Sequence, residues 1–140
     1  MQMIPYLTFP GTCAEAFRFY ETALGGEMVM MMTYGESPMA EHATPETRDT
    51  IMHAQIKVGD AHLMGSDAPV DMRKPMSGFY VSLMPAKITE AERLFAALSD
   101  GGQVRMPLAP TFWSKAFGMV ADRFGTPWMI NCTEGMPGQS

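Results

Sequence analysis

Pro10-Gly11-Thr12-Cys13-Ala14-Glu15-Ala16-Phe17-Arg18-Phe19-Tyr20 decides the fold, because a second version of it stands at Pro85-Ala86-Lys87-Ile88-Thr89-Glu90-Ala91-Glu92-Arg93-Leu94-Phe95. Pro10, Glu15, Ala16, Arg18 and Tyr20 of the first copy match Pro85, Glu90, Ala91, Arg93 and Phe95 of the second. Each copy predicts a helix. Thr12 with Glu15, and Thr89 with Glu92, have the spacing of a capping box, in which hydroxyl and carboxylate satisfy orphan N–H groups of the first turn. Phe17, Tyr20 and Leu24 recur at helical spacing and give the first helix one buried face. Gly25-Gly26 and Gly101-Gly102 stop the two helices, displaced by one residue between the copies.

Outward from these helices the strands repeat as well. Ile4 to Phe9 and Phe79 to Met84 read as strands that end at a proline. Glu27 to Tyr34 follows the first helix as a strand, and Gln103 to Leu108 follows the second. Ile51 to Val58, Gly59-Asp60 and Ala61 to Ser66 form a hairpin with a two-residue turn. That turn sets Val58 opposite Ala61, Lys57 opposite His62 and Gln55 opposite Met64. Alternation then puts Ala54, Ile56, Val58, Ala61 and Leu63 on an apolar face, and His53, Gln55, Lys57, His62, Met64 and Ser66 on a polar one. Ser114 to Asp122 and Trp128 to Cys132 form the corresponding pair, with Phe124-Gly125-Thr126 matching Val58-Gly59-Asp60. The fold class is therefore α+β, with two tandem βαβββ modules, about 1–67 and 78–135, in a single domain. Residues 35–50, with Gly and two prolines, read as a long loop, either a functional lid or a disordered excursion. Asp67 to Ser77 reads as a linker.

Composition narrows the function classes. The 140 residues are 46% hydrophobic and 18% charged, which predicts a packed globule rather than disorder. A net charge of −5 without any basic run disfavours a nucleic-acid partner. No apolar stretch has the length of a membrane span, and the N-terminus lacks the basic and apolar regions of a signal peptide. Cys13 and Cys132 are too few for a secreted disulfide scaffold, so a cytoplasmic location is expected. The sixteen methionines fill gaps in a flexible core, or line an adaptable apolar pocket.

The segments Tyr6-Leu7-Thr8-Phe9-Pro10-Gly11, Met52-His53-Ala54, Gly59-Asp60 and Ser66-Asp67-Ala68 carry a family likeness. So do Phe112-Trp113, Phe117-Gly118 and, above all, Asp122-Arg123-Phe124-Gly125-Thr126-Pro127-Trp128-Met129-Ile130-Asn131. Through them nearly the whole chain resembles the PhnB-like branch of the vicinal-oxygen-chelate superfamily, which includes glyoxalase, dioxygenase and bleomycin-resistance proteins. The resemblance implies curled mixed sheets around a cleft, in a homodimer, with a divalent metal in the metal-dependent members. The metal-ligand positions it implies fall near Ile4, at Met64 flanked by Leu63 and Gly65, among Gly78, Phe79 and Tyr80, and at Ile130 or Asn131. Hard divalent cations want carboxylate or imidazole there, so no metal and no cofactor is expected. Sequences of this branch are sometimes labelled methyltransferases. This chain has neither a Gly-rich strand-to-helix loop nor an alternating βα run to build the usual methyl-donor fold.

The expected role is the binding of a small organic molecule in a metal-free cleft lined by Tyr6, His53, Gln55, Met64, Trp113, Trp128 and Asn131. Imidazole offers one donor and one acceptor, and aromatics with a few polar groups make small-molecule walls. His53 is read as a cleft base or orienting donor, or else as a hydrogen-bonded structural residue. His62 is read as a solvated residue beside the turn, and His42 as a loop residue. Lys57, Lys115, Arg123 and Asn131 can orient an anionic or carbonyl ligand, or serve as ordinary surface contacts. Cys13, at the first turn of a helix, is either a reactive thiol or a small buried hydrophobe, and no neighbouring base favours the former. Two alternatives stand beside metal-free binding. One is a metal-dependent lyase, isomerase or dioxygenase of the glyoxalase type with relocated ligands. The other is a drug- or metabolite-sequestering protein of the bleomycin-resistance type.

Overall fold

The computed structural model describes residues 1–136 and divides into two compact units, one from Met1 to Lys74 and one from Pro75 onward. In the first, β1 (Tyr6–Phe9), α1 (Cys13–Leu24), β2 (Glu27–Thr33), β3 (Ile51–Val58) and β4 (Ala61–Asp67) follow in order. The second has β5 (Val81–Leu83), α2 (Ile88–Ser99), β6 (Gln103–Ala109), β7 (Phe117–Ala121) and β8 (Pro127–Asn131). Each is a βαβββ module, as the repeat predicts.

The sheets are built alike, in the orders β1-β4-β3-β2 and β5-β8-β7-β6. Antiparallel hairpins supply most of the pairing, and the first strand of each unit closes its sheet by running parallel to the last. The β3–β4 register is the one that Gly59-Asp60 implies, with Val58 opposite Ala61 and Gln55 opposite Met64. Gly59 has φ +60, a conformation that costs glycine nothing and other residues a clash.

One sheet face of each unit packs on its helix. In the first unit Leu7, Phe9, Ala54, Ile56 and Leu63 meet Ala16, Phe17 and Tyr20 of α1, all buried. The rings of Phe9, Phe17 and Tyr20 cluster with centroids 5.8–6.5 Å apart, and such pairs add about 0.5–1.5 kcal/mol each beyond area burial. In the second unit Trp128, Ile130 and Val120 oppose Ala91, Leu94 and Leu98 of α2, again buried. Gly65 and Gly118 lie where a helix ring comes closest. A Cβ there would stand 2.8 Å from Phe17 or 2.7 Å from Phe95.

The helix starts differ from expectation. Neither capping box forms: the caps at Thr12 and Lys87 make no side-chain cap bond, and α2 begins at Ile88 rather than after Thr89. Distant carboxylates do the work instead. Cys13 N–H donates to Asp67 Oδ1 at 2.9 Å, and Ile88 N–H donates to Glu134 Oε1 at 3.2 Å. A charged acceptor from the sheet end satisfies the orphan amide and meets the positive end of the helix dipole. Asp67, expected to open a linker, is thus the buried last residue of β4, and its other oxygen accepts from Ile51 N–H at 2.8 Å. The expected strands over Phe79–Met84 and Ser114–Asp122 shorten to Val81–Leu83 and Phe117–Ala121. The 35–50 loop is ordered by its own bonds and holds a single 3-10 turn at Ala40–His42. Among the described residues no helix is long and apolar enough to cross a membrane.

Candidate functional site

The sheet face turned away from α1 is where the polar residues of the first unit gather. The strand register sets Tyr6 beside Met64, Met64 opposite Gln55, and Gln55 opposite Met30. This gives one row across all four strands, and His53, opposite Met32, lies on the same face one step along. Tyr6 is 49% exposed, which leaves its ring open to a ligand, while His53, Gln55 and Met64 are half-buried.

Two hydrogen-bonded pairs occupy this face. The Tyr6 hydroxyl lies 3.3 Å from His53 Nδ1, with the rings stacked at 5.8 Å. With Tyr6 donating, the neutral imidazole carries its proton on Nε2 and keeps a donor for another group. Gln55 Nε2 donates to His62 Nδ1 at 2.9 Å, which puts the His62 proton on Nε2 as well. His62 is therefore half-buried and engaged, not the solvated turn residue that its place beside Gly59-Asp60 suggests. Its signal in the sequence was the Gln55/His62 diagonal across the hairpin. The Tyr6–His53 contact had no such signal, because it depends on β1 lying parallel to β4.

The second unit gathers two of the other expected residues. Trp113 is 41% exposed and meets Phe112 and Phe117 edge-on at 4.8 and 5.1 Å. Phe117 in turn pairs across the sheet with Asn131, whose Oδ1 is buried without a hydrogen-bond partner among the described residues. A hollow of about 520 Å³ opens beside Trp113, with Phe112, Lys115 and Glu134 in its wall. Trp128 lies outside both groups. It is fully buried, and its Nε1 donates to Asp122 Oδ2 at 2.8 Å, so its indole serves the core and the Asp122–Thr126 turn. Arg123 is engaged by Asp100 at 2.9 Å, and Lys57 is exposed.

Cys13 is fully buried. Burial, and secondarily the Asp67 carboxylate beside it, push its thiol far above the ordinary range. It is the small buried hydrophobe rather than a nucleophile.

The metal-ligand positions implied by the resemblance fare no better as a donor set. Ile4 and Ile130 are apolar, and Met64 offers only a thioether. The Tyr80 hydroxyl accepts from Arg105 Nη1 at 3.3 Å, under a guanidinium 5.7 Å from its ring centre. Asn131 contributes one neutral amide. Hard divalent cations take carboxylate and imidazole, so these residues do not fit one. Among the described residues no three His, Cys, Asp or Glu side chains are grouped to hold a metal.

Known proteins match this architecture along its length. A model of the family described as 3-demethylubiquinone-9 3-methyltransferase matches residues 1–131. The Escherichia coli (strain K12) protein described as "Protein YjdN" is 35% identical over 147 residues, covering 99% of this chain and 100% of its own. Protein PA1353 from Pseudomonas aeruginosa superposes with a TM-score of 0.87 at 46% identity, over 94% of this chain and 97% of that one. A Bacillus cereus PhnB protein, described as a putative 3-demethylubiquinone-9 3-methyltransferase, gives 0.76 at 23% identity, over 94% and 99%, a likeness of fold alone. The repeat, the sheet orders and these matches lead to one statement: the chain belongs to this PhnB-like family and has the vicinal-oxygen-chelate fold.

Proposed function

We propose that the protein binds a small organic molecule on the open sheet face of its first unit, without a metal. The observation that carries this reading is the Tyr6–His53 pair at 3.3 Å beside Gln55–His62 at 2.9 Å. These groups satisfy one another on this face, and with Tyr6 and Gln55 donating both imidazoles present an Nε2–H. A carbonyl or carboxylate oxygen is the natural acceptor, with the Tyr6 ring and the Met64 and Met30 thioethers supplying adaptable apolar contact. Trp113 and Asn131 stand in the second unit, where they offer ring surface and an amide oxygen with no hydrogen-bond partner among the described residues. In the same reading the protein is a homodimer, because β2 and β6 each end their sheet's order, and cytoplasmic, because two cysteines are too few for a secreted disulfide scaffold.

The test is a calorimetric screen of small carbonyl compounds and organic acids against wild-type protein and His53→Ala. At least one compound should bind saturably to the wild type and about tenfold more weakly to the variant, the loss expected for one hydrogen bond in a desolvated site. A screen in which no compound distinguishes the two proteins removes the proposal. Titration of chelator-treated protein with manganese, nickel and zinc should give no stoichiometric heat. A saturable single site would overturn the donor-set argument. Light scattering should return the mass of a dimer, and a clean monomer would remove that part.

A further inference from the structure

We propose that a second pocket of the first unit, between the 34–50 excursion and the 67–73 segment, binds a small organic acid through Arg73. The excursion is a built wall. Tyr34 N–H donates to Thr50 O at 3.0 Å and Gly35 N–H to Arg48 O at 2.9 Å, which extends the β2–β3 pairing outward. Thr44 and Thr47 cap each other's amides at 2.8 and 3.3 Å, which fixes the far turn. Between this wall and the end of β4 lies a cavity of about 240 Å³. Water occupies about 30 Å³ per molecule in the liquid, so the cavity has room for an acid of roughly ten heavy atoms.

Its lining fits an amphiphile with one anionic end. Tyr34, Met39, Ala43, Ala68 and Val70 supply apolar surface, and Met39 and Val70 are exposed to 46% and 74%, so part of this surface stands uncovered. Arg73 also lines the cavity. Its Nε–H donates to Ala68 O at 3.1 Å, which anchors the guanidinium while leaving both terminal nitrogens, and no carboxylate lies within ion-pair distance of it among the described residues. Asp67 reaches the lining too, but its two oxygens accept from Cys13 and Ile51 N–H. A planar guanidinium with two free N–H₂ groups beside apolar surface matches a carboxylate on a hydrocarbon body. Glu46 stands exposed in the lining and opposes a second negative charge, so the ligand is a monoanion. None of Tyr6, His53, Gln55 or Met64 lines this cavity, so the two sites fail or hold separately.

Nuclear magnetic resonance of isotope-labelled methionine methyls tests the pocket, with Met39→Leu assigning the reporter at the cavity and Met64→Leu the one on the sheet face. Benzoate and hexanoate should shift the Met39 signal saturably, independently of any response at Met64, while benzamide and hexanamide leave Met39 in place. Arg73→Gln should weaken the acids by about tenfold, one charge-assisted hydrogen bond's worth, and Glu46→Gln should tighten them by a few-fold. The proposal is overturned by a Met39 signal that stays fixed at millimolar acid, that moves equally with the amides, or that responds to the acids unchanged in Arg73→Gln.

Discussion

The two units share a strand order and differ in what they place on the open face of the sheet. In the first, the row across the strands reads Tyr6, Met64, Gln55, Met30; in the second, the register gives Ser82, Met129, Met119, Met106. The backbone ladder is the same and the chemistry is not. Thioethers fill space and adapt to shape, whereas a phenol and an amide beside two imidazoles impose direction through donors and acceptors. Duplication gave two frames, and the first carries the denser set of hydrogen-bonding groups in this row.

The helix starts repeat the contrast. Both amides are capped by a carboxylate far along the chain, but Asp67 is 4% exposed and holds two N–H groups, while Glu134 is half-buried and holds one at 3.2 Å. Asp67→Ala should therefore cost about 3 kcal/mol in urea unfolding, because it strands two buried donors. Glu134→Ala should cost about 1 kcal/mol, the range of an ordinary cap. Equal losses would break the comparison by making the second cap as structural as the first.

A smaller effect is expected at high pH. Cys13 has its thiol raised on folding, so the folded state holds that proton more tightly than the unfolded chain does. Its contribution is fully present below the ordinary thiol range and is lost as pH rises through and beyond it. Cys13→Ala should flatten that part of the stability profile, measured by urea midpoints across alkaline pH. An unchanged slope would assign the alkaline loss to other groups.

The smallest expected effect sharpens the contrast between faces. Tyr6→Phe removes one hydroxyl from an exposed ring and should change stability by no more than about 0.5 kcal/mol, yet weaken ligands of the first sheet face several-fold. A large loss of stability would mean that the Tyr6–His53 pair is part of the structure rather than of recognition.

What the sequence revealed depended on how local each cause was. The Gly59-Asp60 turn sets its own register, so the β3–β4 pairing and the polar face were legible from a few adjacent residues. Gly25 stops α1 in a left-handed conformation, again a local matter. Asp67 and Glu134 were not legible as caps, since each acts on a helix start dozens of positions away, and nearby Thr12 and Thr89 offered a plausible local substitute. Trp128 illustrates the same limit for the site. Its alternation with Ile130 marks a strand, but which face meets the helix depends on partners in other strands. The pairing of Tyr6 with His53 also required knowing that the first strand closes against the fourth.

That closure has a kinetic consequence. The β3–β4 hairpin joins neighbours across a two-residue turn and can form within microseconds. Pairing Phe9 with Asp67, by contrast, must bring together chain segments separated by a helix, a strand, a long excursion and that hairpin. Loop-closure entropy comes before any reward from such a contact, so the edge occupied by β1 is the late event in the first unit. Until it zips up, Asp67 has no helix to cap and Tyr6 has no imidazole to meet. The Tyr6–His53 pair is the last part of the unit to come into being.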